Sequence, residues 1–184
     1  MNIIVKPNGK DLCYCRPDTT WEKESRDIYI PEGVDKVLWA PVVFVKVCKA
    51  GKCVSPKFVK RYYDSVGFGA LLYCNDENIA FSSCMDHSSL LPAPSLGPEA
   101  LESNDGSLAI SIAEDTVDIA ADKNMQTALE DAICKASKRV SLRIGDIVAV
   151  ELTNLKVLAE RCEDEIPFKA EYNGNGLFDL KVIF

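Results

Sequence analysis

The chain has 184 residues, 47% hydrophobic and 27% charged, which is ordinary for a soluble globular protein and enough for one domain with a full hydrophobic core. Its formal net charge of -7 opposes binding to polyanions, because nucleic-acid affinity rests on Lys and Arg neutralising phosphates, so nucleic acid and anionic membrane are set aside as partners. Ile3, Ile4 and Val5 are cut short by Lys6 and Pro7, and no later run approaches the ~18 apolar residues of a membrane span, so a cytoplasmic protein is expected.

Residues 1–36 alternate short apolar pieces with polar turns. Asn8-Gly9, Arg16-Pro17-Asp18-Thr19 and Pro31-Glu32-Gly33 separate apolar pieces at 3–5, 12–15 and 28–30, a pattern that predicts short strands. Residues 37–48 are almost continuously apolar apart from Pro41 and Lys46, as in a strand buried on both faces. Pro41 has no N–H to give to a ladder and is expected at a bulge or an edge. Pro56 pre-sets the backbone for a helix starting near Lys57, where Phe58, Tyr62 and Val66 at four-residue spacing give one apolar face. Gly67 and Gly69 precede a strand at 70–74 and imply close backbone approach or a bend.

From 75 to 105 the composition shifts to Ser, Pro, Asp and Asn, with residues 79–81 and Leu90-Leu91 as the candidate strand pieces. An irregular connection this long inside a compact domain is usually functional or a relic of function. Residues 108–113 and 116–120 predict a hairpin around Glu114-Asp115. Asn124 is the expected N-cap of a helix to about Lys138, with Met125, Leu129, Ala132, Ile133 and Ala136 in one stripe. Gly145-Asp146 leads into a strand at 147–153, and Asn173-Gly174 between 166–172 and 177–184 is a strong hairpin signal. The expectation is one domain over residues 1–184, mainly β with two short helices (α+β), with the irregular loop at about 75–105.

Eight cysteines are spread along the chain without a C-x-x-C pair, which gives a zinc site little support. In a reducing compartment most are expected to be small buried hydrophobes. Cys48 and Cys53 flank the turn 49–52, where a disulfide across a hairpin is the sharper alternative.

Arg16-Pro17-Asp18-Thr19, Tyr29-Ile30-Pro31, Ser55-Pro56-Lys57-Phe58, Arg61-Tyr62-Tyr63-Asp64 between two buried strands, and Leu142-Arg143-Ile144-Gly145-Asp146 follow one another along the chain. In these stretches the chain resembles the fumarylacetoacetate hydrolase family from Arg16 onward, Arg61-Tyr62-Tyr63-Asp64 being the specific match. The resemblance implies a fumarylacetoacetate hydrolase-like mixed β-roll and, as is usual in that family, a homodimer. There, a Glu-x-Glu pair on the first strand and an Asp on the second hold magnesium or calcium, which polarises a keto or enol acid. A hard cation of this kind needs anionic oxygens held on rigid strands.

In this chain those positions are Ala40, Val42 and Leu71, none of which can ligate a metal. The family's catalytic Lys falls on Ser83, in Ser83-Cys84-Met85-Asp86. Its Thr-Gly-Thr-Pro strand end falls on Val150-Glu151-Leu152-Thr153, where a one-residue slip leaves Thr153. Its lid segment has no counterpart before Arg16. Loss of one part would fit a changed ligand set. Loss of all four implies a degenerate relative without resident metal, acting as a binding or interaction module, or as a structural subunit of an active paralogue.

The alternative is an active C–C hydrolase, tautomerase or decarboxylase on small β-keto or enol acids, using magnesium or calcium at a site rebuilt around Asp76, Asp86 and His87. His87, the only histidine, adjoins Asp86 and could form an acid/base pair, against the plainer reading of a turn histidine. Asp76, Glu77 and Asp86 are a candidate relocated metal site, against a solvated acidic loop. Cys74, Cys84 and Ser83 are weighed as nucleophiles against buried thiols. Arg16, where the family has a Lys near its pocket, is the candidate substrate-binding residue for a small carboxylic acid through a bidentate contact, against a salt-bridged surface Arg. Lys156, Arg161 and the Glu163-Asp164-Glu165 turn are expected on a solvated face.

Overall fold

The computed structural model describes the chain except residues 76–77, 103–105 and 163–164. In chain order the strands are β1 (Ile3–Lys6), β2 (Tyr14–Arg16), β3 (Trp21–Glu22), β4 (Ile28–Tyr29), β5 (Lys36–Lys46), β6 (Val66–Cys74), β7 (Ser89–Leu90), β8 (Ser107–Ile112), β9 (Asp115–Ala120), β10 (Ile147–Glu151), β11 (Lys156–Glu160), β12 (Glu165–Tyr172) and β13 (Asn175–Ile183). Two α-helices, α1 (Ile79–Ser82) and α2 (Lys123–Arg139), and 3-10 turns at Asp18–Thr20, Pro56–Arg61 and Pro98–Leu101 connect them. The class is mainly β, as expected, although the second helix is 17 residues long rather than short.

The eleven-residue β5 is the axis of the larger sheet, whose order is β2-β1-β10-β5-β6-β7-β3 with β11 also on β5. One side of β5 pairs with β6 from Val37 to Val45, and the other is shared end to end by β10 and β11. Pro41 therefore sits neither at an edge nor at a bulge. Its carbonyl accepts from Leu152 N (2.9 Å), the residue just past the end of β10, and its ring nitrogen lies on the same side of the strand. A proline is tolerated in this central strand because it sits where β10 ends, and the pair with Leu152 forfeits only the bond that proline cannot donate.

Residues of alternate parity on these strands go to opposite faces, as the two-residue period requires. Trp39, Val43, Val45, Phe68, Ala70 and Leu72 face α2 and the second sheet, which has the order β4-β13-β12-β8-β9, and share one core with them. Val42, Phe44, Leu71 and Tyr73, with Ile3, Val5, Leu91, Ile147 and Ala149, form a separate buried cluster inside the curl of the larger sheet.

Helix α2 buries Met125, Leu129, Ala132, Ile133 and Ala136, the stripe read from its periodicity. Its N-cap is Asp122, not Asn124: the Asp122 carboxylate accepts from Met125 N (3.0 Å). The segment after Pro56 is a 3-10 turn, and at three residues per turn it buries Val59 and leaves Phe58 exposed against the Arg61 guanidinium. The run 79–81 is α1 and not a strand, because Asn78 caps it by accepting from Ala80 N (3.1 Å). Strand β6 starts at Val66 and takes in both glycines. A Cβ on Gly69 would lie 2.1 Å from the Leu90 carbonyl oxygen, and one on Gly67 would lie 2.5 Å from the Phe44 ring.

The Asn173-Gly174 hairpin joins β12 to β13 with both residues at positive φ, as a type I′ turn demands. Of the expected solvated face, Lys156 at the start of β11, Arg161 just beyond its end and Glu165 are exposed, while Leu158 and Ala159 within β11 are buried; Glu163 and Asp164 lie outside the described residues. Of the cysteines only Cys134 is buried. Cys15, Cys48, Cys53 and Cys162 are exposed, and Cys48 and Cys53 are free thiols, so the expected role as buried hydrophobes holds for few of them. Among the described residues no helix is long and apolar enough to cross a membrane.

Candidate functional site

Strand pairing brings the three positions singled out on β5 and β6 together. Ala40 pairs directly with Leu71 in the antiparallel register, and Val42 follows on the same face two residues on. All three are fully buried, and Val42 and Leu71 pack into the cluster inside the curl. No oxygen, nitrogen or sulfur donor is carried by these side chains, so they do not fit a hard divalent cation.

A line of polar side chains runs beside this apolar cluster. Tyr73 on β6 donates its hydroxyl proton to Glu151 at the end of β10, and Glu151 also accepts from the backbone of Asn8 (3.1 Å). Since that proton is committed, the hydroxyl of Tyr14 on β2, 2.6 Å away, is the donor to Tyr73. Burial pushes the Glu151 carboxyl up, pushes the Tyr73 phenol well up, and raises Tyr14 to about 12. The network is a set of protonated phenols around a desolvated carboxylate.

Arg16 at the end of β2 is 2% exposed, so it is not the salt-bridged surface residue of the plain reading. Its Nη2 donates to the Leu72 carbonyl (2.8 Å) and to Ser88 Oγ (2.6 Å), tying β2 to β6 and to the residue before β7. The guanidinium stacks on Tyr73 at 4.9 Å from the ring centroid, while Nε and Nη1 have no hydrogen-bond partner among the described residues.

His87 and Asp86 do not pair with each other. Asp86 is exposed, and His87, held at φ +58°, places Nδ1 3.0 Å from Glu22 Oε2 on β3. The histidine side chain is 56% exposed and the glutamate 5%. Glu22 Oε1 accepts from Glu24 N (2.6 Å), which fixes the carboxylate toward the imidazole. Asp86 and His87 border an open cavity of about 780 Å³, with Arg26, Asp27 and Tyr29 across it. Asp76 and Glu77 lie outside the described residues.

Ser83 is fully buried and its hydroxyl donates to the Ala80 carbonyl (2.9 Å). Cys84 Sγ lies 3.0 Å from the same oxygen, and Cys74 Sγ is 3.8 Å from Met85 Sδ. The Thr153 hydroxyl donates to the Asn154 carbonyl (3.0 Å). Glu22, Tyr14, Tyr73 and Ser88 were not reached from the sequence. The one signal there was parity: Tyr73 stands two residues beyond Leu71 and therefore shares its face.

This architecture is the fumarylacetoacetate hydrolase-type fold. A protein from Yersinia pestis CO92 described as a fumarylacetoacetate hydrolase family member superposes with a TM-score of 0.82 at 16% identity, covering 99% of this chain and 92% of its own. A 2-hydroxyhepta-2,4-diene-1,7-dioate isomerase from Mycobacterium marinum superposes at 0.80, with 12% identity and coverage of 99% and 74%. Maleylpyruvate hydrolase from Sphingobium sp. SYK-6, solved in complex with manganese(II) and pyruvate, gives 0.76, with 13% identity and coverage of 99% and 69%. No protein-family model and no curated protein sequence matches the chain.

Proposed function

We propose that this chain is a divergent fumarylacetoacetate hydrolase-like protein that works without metal-dependent catalysis, as a binding or interaction module. The observation that supports it is the burial of Ala40, Val42 and Leu71: the fold brings the three positions together, all fully buried, with Val42 and Leu71 in an apolar cluster. Filling the interior with Val, Leu and Phe leaves the surface and the rim to act. Assembly as a cytoplasmic homodimer belongs to this reading and is tested by sedimentation of the purified protein. A small carboxylic acid at the Nε and Nη1 edge of Arg16, which is buried and has no hydrogen-bond partner among the described residues, belongs to this reading only if the fold opens there. Calorimetric titration with magnesium, calcium and manganese tests the central part: heat of binding at micromolar affinity sinks it.

A second reading is favoured by the His87–Glu22 contact beside the open cavity. In it the chain is an active hydrolase, isomerase or decarboxylase on small keto or enol acids, with His87 as the acid/base group, Glu22 orienting it and Asp86 at the cavity edge. Turnover of an oxaloacetate and acylpyruvate panel that is lost in both Asp86→Ala and His87→Ala carries it. Turnover unchanged in both removes it.

A further inference from the structure

A second cavity, of about 320 Å³, lies on the opposite side of the sheet from Val42 and Leu71, between the approach to β2 and the last turns of α2. Its floor includes Ile4, whose side chain belongs to the core facing α2, and its walls carry Leu12, Ala136 and Val140. Leu12 is half exposed at the mouth, an apolar side chain with one flank in water.

The charge at the rim is opposite to that of the molecule. Lys135, Lys138 and Arg139 line the cavity against a single carboxylate, Asp11, whereas the whole chain carries -7. Lys135 is engaged by Asp11 and by Asp131 (2.9 Å). Lys138 and Arg139 form no ion pair among the described residues, although they stand at the C-terminal end of α2, whose backbone contributes only about half a negative charge. Two uncommitted cations beside a partly apolar hollow, on a chain of net negative charge, concentrate anions locally.

We infer that this cavity binds a small organic carboxylate with an apolar body, the chain or ring of the acid lying on Ile4, Leu12 and Val140 and the carboxylate meeting Lys138 and Arg139. The volume is at the lower end of ligand pockets, roughly 300–1,000 Å³, so an acid of the size of phenylacetate suits it better than a cofactor. A charged group pairs here at an exposed rim, where the attraction is modest, and burial of the apolar body supplies the remainder. The inference is independent of the fate of the metal positions, which lie on the other face.

Cys13 and Cys15 line the same cavity and report on its occupancy, while Cys48, Cys53 and Cys162 do not line it and serve as internal controls. Burial pushes the thiols of Cys13 and Cys15 up, so alkylation is run at alkaline pH. The experiment compares N-ethylmaleimide modification of each cysteine, read by peptide mass spectrometry, with phenylacetate, with phenylacetamide and with neither. Slowing of at least about threefold at Cys13 and Cys15 by phenylacetate, none by the amide and none at the control thiols, is the expected result. The exposed pair Lys138→Glu and Arg139→Glu abolishes that protection while the circular dichroism stays that of the parent. Equal protection by acid and amide, protection that survives the double charge reversal, or thiols that behave alike in all arms because a second copy covers the cavity would each overturn it.

Discussion

At the scale of a single side chain, Leu71 decides what chemistry the interior allows. It is fully buried among Val42, Phe44 and Tyr73, so a carboxylate put there is desolvated. Leu71→Asp is predicted to cost about 3–5 kcal/mol, the penalty of an uncompensated buried charge, as read from urea unfolding. A loss below about 1 kcal/mol would mean that water reaches the position and that the interior is open. Glu151 gives the second prediction. Its folded pKa is raised, so the stability it contributes is fully present below the ordinary glutamate range and is lost as pH rises through the raised value. Glu151→Gln has no proton to lose, and the decline of thermal stability of the parent across that window should flatten in the variant. An unchanged pH profile would show that the carboxylate is better solvated than its burial indicates.

At the scale of elements, β6 is held against β7 by the absence of a side chain. Gly69→Ala puts a methyl carbon within 2.1 Å of the Leu90 carbonyl oxygen, which belongs to backbone and cannot swing aside. Separation of the two strands is predicted to destabilise by about 1–3 kcal/mol, as overpacking does, in the same unfolding assay. Asp122→Ala removes the α2 cap and is expected to cost about 1 kcal/mol, whereas Asn124→Ala is expected to cost little. These elements also mark what the sequence could convey. Strands β5 and β6, the β8–β9 and β12–β13 hairpins and the stripe of α2 were legible because periodicity and turn residues are local signals. The 3-10 turn at Pro56–Arg61, α1 and β11 were not, because each is set by what lies beside it: Val59 under the turn, Asn78 capping one short coil, β5 offering a free edge to residues 156–160. Pro41 was read correctly as lacking a donor. The end of β10 that it lies against belongs to tertiary pairing, which one strand's sequence does not contain.

At the scale of the whole molecule, the same limit governs the candidate site. The three apolar positions were singled out through the resemblance, and in the register of β5 on β6 Ala40 and Leu71 are partners. The company of His87 and Arg16 was not legible: Glu22 lies 65 residues from His87, and Leu72 lies 56 from Arg16, contacts that only the closed fold creates. A solved protein of the same fold has manganese and pyruvate bound, so the central question is whether this chain responds to such a pair. The measurement that decides it is the thermal midpoint of the purified protein with manganese and pyruvate, separately and together, since a ligand bound to the native state raises apparent stability. The buried apolar interior predicts no joint shift at millimolar concentrations. A midpoint raised by the two together, beyond either alone, would contradict the account and support metal-dependent chemistry.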